Sequence, residues 1–493
     1  MESEFKRIHA GPRWRLLFGG FDGIERTAVI ELQKILQYYL PDTLVVESAV
    51  GAAVEKLEHV ALIGTAASNP LIAGLIESGK LTAPSGEEGY SIALTESPWK
   101  PGVRLLAVAG TDARGALYGA QEVAARLFCG GSLLDGFGGP ERLKHFELCE
   151  PFSVCEAPAV RNRGLWTWGF AIGSYRRYLD NMVRLKMNLL TIWNDRVPHN
   201  IEAVLACAHE RGIRVILGFH WGWGHKGSID LSKVDDRRRI REAVLETYRL
   251  QYAHLPHDGI YFQTLTEHKD LQLAGRSTAA WACELVNDTA QVLLAEFPGL
   301  RIQFGLHATS IGENYRDLAS LDPRVDIVWE DCCGQVPYSY YPAQVVEVTA
   351  DFETMLDYSR KLATFRPGSE FALVPKGWSC LRWQADFENH SSFILGEQNA
   401  LRSRERLMLR QNEWDRINSH WLANYPLAAR FYREMLAVNP VMTATGLVED
   451  GMFEEAIQPS VALFAETLWN PAQTDAEILG RAMRPYYTRI PAG

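Results

Sequence analysis

Glu267 ends an apolar, β-favouring run, GIYFQTLTEH, and is flanked by Thr266, His268, Lys269 and Asp270. A second acidic pair, Glu330-Asp331, ends another such run, VDIVWEDC. Two carboxyl groups brought together can break a glycosidic bond. One is protonated and donates to the leaving oxygen, while the other attacks or activates water. Glu267 is the expected acid, because aromatic neighbours would desolvate it and raise its pKa. For the partner a choice stays open. Successive residues of a strand point opposite ways, so one of the pair faces the site. Asp331 is preferred, Glu330 comes next, and Asp195 and Glu449 lie further off.

Other polar and aromatic residues gather at the ends of similar runs. They are Arg163, Trp166, Trp193, Asn194, Asp195, His220, Trp221, His307, Trp329, Lys376 and Trp378, with His268 beside the acid. Singly, each has an ordinary structural explanation. Tryptophan fills cores, a lone histidine is often a satisfied buried group, and Asp195 or Asp450 would serve equally well as a helix cap. Jointly they suit carbohydrate: aromatic faces stack on the C–H faces of a sugar while acids, His and Asn bond its hydroxyls. Arg163 and Lys376 could pair the carboxylate of a uronic acid.

A catalytic metal is the rival chemistry, since His220, Glu267 and His307 could meet. However, His220 and His225 are five apart and no HxH or HExxH arrangement occurs, so no metal or cofactor is expected. The GxSxG of a nucleophile elbow is absent.

Strands must place these groups together. Apolar runs at 161–168, 188–195, 214–223, 259–268, 301–309, 325–334, 371–379 and 441–450 are each followed by a helical pattern. Eight such units predict a (β/α)8 TIM barrel over 159–493, whose chemistry lies at the C-terminal ends of its strands. Residues 1–130 read as a small α/β accessory domain, with strands at 13–20, 44–49, 59–66, 89–97 and 103–110 and helices at 24–40, 69–79 and 111–128. Residues 131–158, rich in Gly, Pro and charge, read as a linker. FGGFDG after the first strand lacks both the GxGxxG spacing and the lysine of a phosphate loop, and is read as a turn.

Composition narrows the partners. A formal charge of −10 argues against nucleic acid or anionic lipid, and the densest basic cluster, Arg237-Arg238-Arg239, reads as a solvated helix face. No run reaches the ~18 apolar residues of a membrane span. MESEFKRIHAGPRW does not read as a secretory signal, and eight cysteines without CxxC spacing suit reduced thiols in the cytoplasm. The adjacent pair Cys332-Cys333 is read as structural, because a vicinal disulfide is strained. The expected partner is a carbohydrate, with a homodimer left open.

Several segments carry a family resemblance. AGTDARGALYGAQEVAARLF (109–128) resembles the close of the small α/β domain that precedes the barrel in bacterial α-glucuronidases and β-N-acetylhexosaminidases. APAVRNRGLW (157–166) is similar to their first barrel strand, YLDNMVRLKMNLLTIWND (178–195) to the next helix and strand, and ALFAETLWNPAQTDAEI (462–478) to the α-glucuronidase tail. The resemblance implies an exo-acting glycoside hydrolase with Glu267 as general acid, acting on a terminal sugar such as a uronic acid or hexosamine. Two departures mark a divergent member. Thr266 stands where substrate-assisted hexosaminidases carry a second acid, which shifts the expectation to a two-carboxylate mechanism. WEDCCGQVPY (329–338) replaces the α-glucuronidase base motifs. A non-catalytic sugar-binding barrel and a metal-dependent hydrolase are the alternatives.

Overall fold

The computed structural model describes residues 14–39, 44–127, 150–169, 172–194, 196–221, 229–263, 271–306, 312–332, 348–364, 366, 370–378, 394–396, 400–448 and 452–484, with backbone alone at 38–39, 126–127, 312–313, 331–332, 348–351, 400–404, 406–407 and 452. The chain forms two compact units. One comprises Met1–Ala159, His209–Gly212 and Arg484–Ala492; the other comprises Val160–Ala208 and Ile213–Met483.

In the first unit, β1 (Trp14–Phe18), β2 (Val45–Ser48), β3 (His59–Thr65), β4 (Tyr90–Glu96), β5 (Arg104–Gly110) and β6 (Phe152–Glu156) form one sheet, ordered β2-β1-β3-β5-β4-β6. β4 runs antiparallel to both its neighbours and the other pairs are parallel. β3 is buried along its whole length, as its unbroken HVALIGT run requires of a central strand. The helices are α1 (Gly23–Tyr39), α2 (Pro70–Glu77) and α3 (Ala113–Leu127). Asn69 caps α2 by accepting from Leu71 and Ile72 N–H, with Pro70 at the first helical position. The FGG segment is a close approach of two backbones: a Cβ at Gly19 would lie 2.6 Å from the Ser68 carbonyl carbon. One expectation is corrected. Residues 152–156, read as linker, make the edge strand β6 against β4.

The second unit is a closed barrel of eight parallel strands, one from each predicted run. The strands are β7 (Asn162–Trp168), β8 (Leu189–Trp193), β9 (Arg214–Gly218), β10 (Gly259–Phe262), β13 (Ile302–Leu306), β14 (Val325–Cys332), β15 (Phe371–Pro375) and β16 (Met442–Leu447). A short hairpin, β11 (Gln272–Leu273) and β12 (Arg276–Ser277), follows β10. The helices are α4 (Tyr175–Arg184), α5 (Ile201–His209), α6 (Val234–Thr247), α7 (Thr278–Glu296), α8 (Val348–Ala363), α9 (Ala400–Val438), α10 (Met452–Glu455), α11 (Pro459–Trp469) and α12 (Asp475–Ala482).

Side chains alternate along each strand between the barrel interior and the sheath of helices. Trp166, Leu189, Trp193, Ile216, Tyr261, Val328, Ala372, Val374 and Leu447 form one interior cluster. Two glycines make room for its largest members. A Cβ at Gly218 would come 2.6 Å from the Trp193 ring, and one at Gly305 would come 2.1 Å from the Tyr261 hydroxyl. The basic cluster departs from its solvated-face expectation at one position. Arg238 and Arg239 pair with Asp235 and Asp236 on the surface, but Arg237 is buried, bonds Glu284 at 2.6 Å and lies over Trp281.

Candidate functional site

The interior residues at the C-terminal end of the barrel build one polar cluster on an aromatic wall. On β14, Val328 lies in the interior cluster and Trp329 packs outward on Tyr358 of α8, so Glu330 points inward. Its Oε1 accepts from the Tyr261 hydroxyl and from Gln263 Nε2, both on the inward parity of β10. Lys376, directly after β15, places its ammonium 2.5 Å from Glu330 Oε2. Gln263 Nε2 also lies 3.0 Å from the Tyr261 oxygen. Glu330, Lys376, Tyr261 and Gln263 are all buried. A carboxylate has about four acceptor sites, and among the described residues Tyr261, Gln263 and Lys376 donate to this one. Hydrogen bonds to an ionised group are the strong ones.

The wall beside it is Trp166, Trp168, Trp193 and Tyr261. Trp166 stacks on Trp193 at 6.3 Å and meets Tyr261 edge-on at 5.9 Å; Trp168 meets both other indoles edge-on, at 5.2 and 5.7 Å. Such offset and edge-on contacts are the favoured geometries of aromatic rings. Trp166 and Trp193 are buried, and Trp168 keeps part of its surface exposed. Asn194, just after β8, is buried beside Gly169, and its Oδ1 has no hydrogen-bond partner among the described residues. His220 follows β9 on the inward parity and is half-buried.

Glu330, Lys376, Trp166 and Trp193 are therefore brought together as expected of site residues, whereas four others are not. Trp221 stacks on Phe262 at 3.4 Å, Trp329 packs on Tyr358, and Trp378 stacks on Trp421 of α9 and touches Phe464 of α11. All three face the helices. Arg163 is the second residue of β7, at the opposite end of the barrel from the site. It also faces outward: its guanidinium bonds the Val160 carbonyl and lies 5.1 Å from the Trp469 ring. The cause is shared, since strands buried on both faces put large residues on each parity and hide the inward one. Of the two cations expected to pair the carboxylate of a uronic acid, Arg163 lies at the far end of the barrel and Lys376 is paired with Glu330.

Asp195, Glu267, His268, His307, Glu449 and Asp450 lie outside the described residues, as do the side chains of Asp331 and Cys332 and all of Cys333. Tyr261 and Gln263 were missed. Both precede Glu267 at even spacing, and following that parity back along the strand would have found them.

A further carboxyl ties loops at this end. Glu454 of α10 accepts from the backbone N–H groups of Gly173 (2.9 Å) and Ser174, at the start of α4. Burial raises its pKa to about 7, Glu455 adding to the rise and the two N–H bonds opposing it. Among the described residues no group of three or more His, Cys, Asp or Glu could hold a metal ion, and no helix is long and apolar enough to cross a membrane.

No protein-family model matches the chain, and no curated protein matches it in sequence. Solved structures do match in fold. A family GH115 4-O-methyl-α-glucuronidase with specificity for decorated arabinogalactans aligns over 94% of this chain with a TM-score of 0.51 and 16% identity. The chain spans 57% of that enzyme's length. A β-N-acetylhexosaminidase aligns over 80% of this chain and 87% of its own (TM-score 0.35, 10% identity). A Parabacteroides merdae β-glucuronidase aligns over 65% and 40% (TM-score 0.34, 12% identity). The chain, an α/β sheet unit and a (β/α)8 barrel, thus shares its fold with part of that enzyme, at low sequence identity.

Proposed function

We propose that the protein is an exo-acting glycoside hydrolase in which Glu267 donates the proton and Glu330 is the second carboxylate. The observation that carries this reading is the inward-facing Glu330, held by three donors against a wall of Trp166, Trp168, Trp193 and Tyr261. A fixed anion at the C-terminal end of a barrel can stabilise the positive charge that develops at the anomeric carbon. Trp168 offers the partly exposed ring on which a sugar would stack. The acid then protonates the departing oxygen, and water completes the hydrolysis.

A screen against aryl glycosides, with NMR detection of the first-formed anomer, tests substrate and stereochemistry together. Glu267→Gln and Glu330→Gln are each expected to lower kcat by about 10²–10⁴-fold or more on a substrate with a poor leaving group. Parent-like turnover by Glu330→Gln would sink its assignment. Sugar binding by the parent without turnover would favour a lectin-like barrel instead.

A further inference from the structure

Lys376 is a buried cation whose single nitrogen lies 2.5 Å from a buried carboxylate oxygen. Its position suggests a substrate ligand, as the sequence does; its geometry does not. A substrate carboxylate would have to take the ammonium from Glu330, leaving a buried anion without its counter-charge, a change that costs several kcal/mol. The other described groups facing Glu330 are neutral: Tyr261 and Gln263 from β10, both on Oε1. Among the described residues of β13, between β10 and β14, it is Gly305, without a side chain, that lies at this level. Among these described contacts Lys376 supplies the positive charge, and it is the one that reaches Oε2.

We propose that Lys376 is a positioning residue, the fixed counter-charge that orients the Glu330 carboxylate and holds it as an anion, and that it does not select the sugar. This rests on the reading of Glu330 as the second carboxylate. Two consequences separate it from a substrate-binding lysine. Without the ammonium a buried carboxyl protonates more readily, so the acid limb of the kcat/KM profile moves up. The effect is also the same for neutral and acidic sugars.

The test is the pH profile of Lys376→Met, Lys376→Gln and Lys376→Arg on an aryl glycoside of a neutral sugar and on the matching uronide. The neutral variants are expected to shift the acid limb upward by about one pH unit or more on both substrates, with KM little changed. Lys376→Arg, which keeps the charge, is expected to keep the parental limb. An unmoved limb in the neutral variants, or a loss confined to KM for the uronide, overturns the proposal. If neither neutral variant folds, Lys376→Arg still decides: a shifted limb or a uronide-only rise in KM overturns it, and a parental profile on both substrates upholds it. Glu330→Gln, run alongside, separates the two readings. Parent-like turnover there removes the role of Glu330 itself; an inactive Glu330→Gln with an unmoved Lys376 limb removes only the role of Lys376.

Discussion

At the scale of single residues, the site depends on a side chain that is absent. Tyr261 reaches Glu330 across β13, the strand between theirs, and the crossing is open because position 305 is glycine. A Cβ there would lie 2.1 Å from the Tyr261 hydroxyl and 2.8 Å from Glu330 Oε1. Gly305→Ala is therefore expected to push the phenol off the carboxylate. Overpacking costs about 1–3 kcal/mol, and a lost bond to a charged group about 1.5–3 kcal/mol. A urea midpoint unchanged from the parent would show that the contact relaxes freely. The same strand neighbourhood explains what the sequence left open. In VDIVWEDC one parity before the acidic pair is Val325, Ile327 and Trp329 and the other Asp326 and Val328, and in a strand buried on both faces neither composition says whether Glu330 or its neighbour faces in. The inward direction of Glu330 is set by Val328 joining the interior cluster and Trp329 finding Tyr358, contacts between residues far apart in the chain.

At the scale of elements, strands were legible and their faces were not. Each of the eight barrel runs is long, apolar and β-branched enough to announce a strand, and β3 of the sheet unit does the same. β6 escaped because FSVCE is a short edge strand in a polar stretch, stabilised by pairing with β4 and not by its own pattern. Arg237 escaped for a similar reason, since Trp281 and Glu284 of α7 take it out of solvent. The link between the first and eighth strand–helix connections was also invisible: Glu454 binds the start of α4, Asn181 donates to the Phe453 carbonyl, and Tyr178 packs on Phe453. That link should respond to pH. The folded Glu454 carboxyl titrates at about 7, against an ordinary value of 4.5. Between those values the unfolded chain releases its proton while the folded one retains it. The contribution is thus fully present below pH ~4.5 and lost as pH rises through ~7, up to about 3 kcal/mol in all. Glu454→Gln is expected to flatten this part of the stability–pH curve. Thermal melts at pH 5 and pH 8 measure it, and an undiminished difference in the variant would assign the titration elsewhere.

At the scale of the whole barrel, the two ends of the strands carry different polar networks. At the N-terminal end, Glu370 Oε1 accepts from Asn162 Nδ2 (2.5 Å), from the Thr443 hydroxyl and from Arg301, whose Nε also bonds Asp326 at 2.7 Å. Arg214 joins by donating to Asn162 Oδ1. These residues lie at or directly before the starts of six different strands, so the network links the barrel's lower rim, whereas the Glu330 cluster lies at the other end. Paired charge at that rim serves closure of the barrel, since in this architecture the chemistry belongs to the opposite face. Glu370→Ala removes the shared acceptor and leaves Arg301 with Asp326 alone. Because these side chains are about one-fifth exposed, the expected loss is on the order of 2–3 kcal/mol, below the ~3–5 kcal/mol of a fully buried pair. The folded fraction should nonetheless keep its kcat/KM, while Glu330→Gln at the far end should do the reverse, losing turnover with a smaller change in melting temperature. Measuring both quantities on both variants decides the matter: a Glu370→Ala protein that folds stably but has lost its turnover would mean that the lower rim shapes the site through the strands.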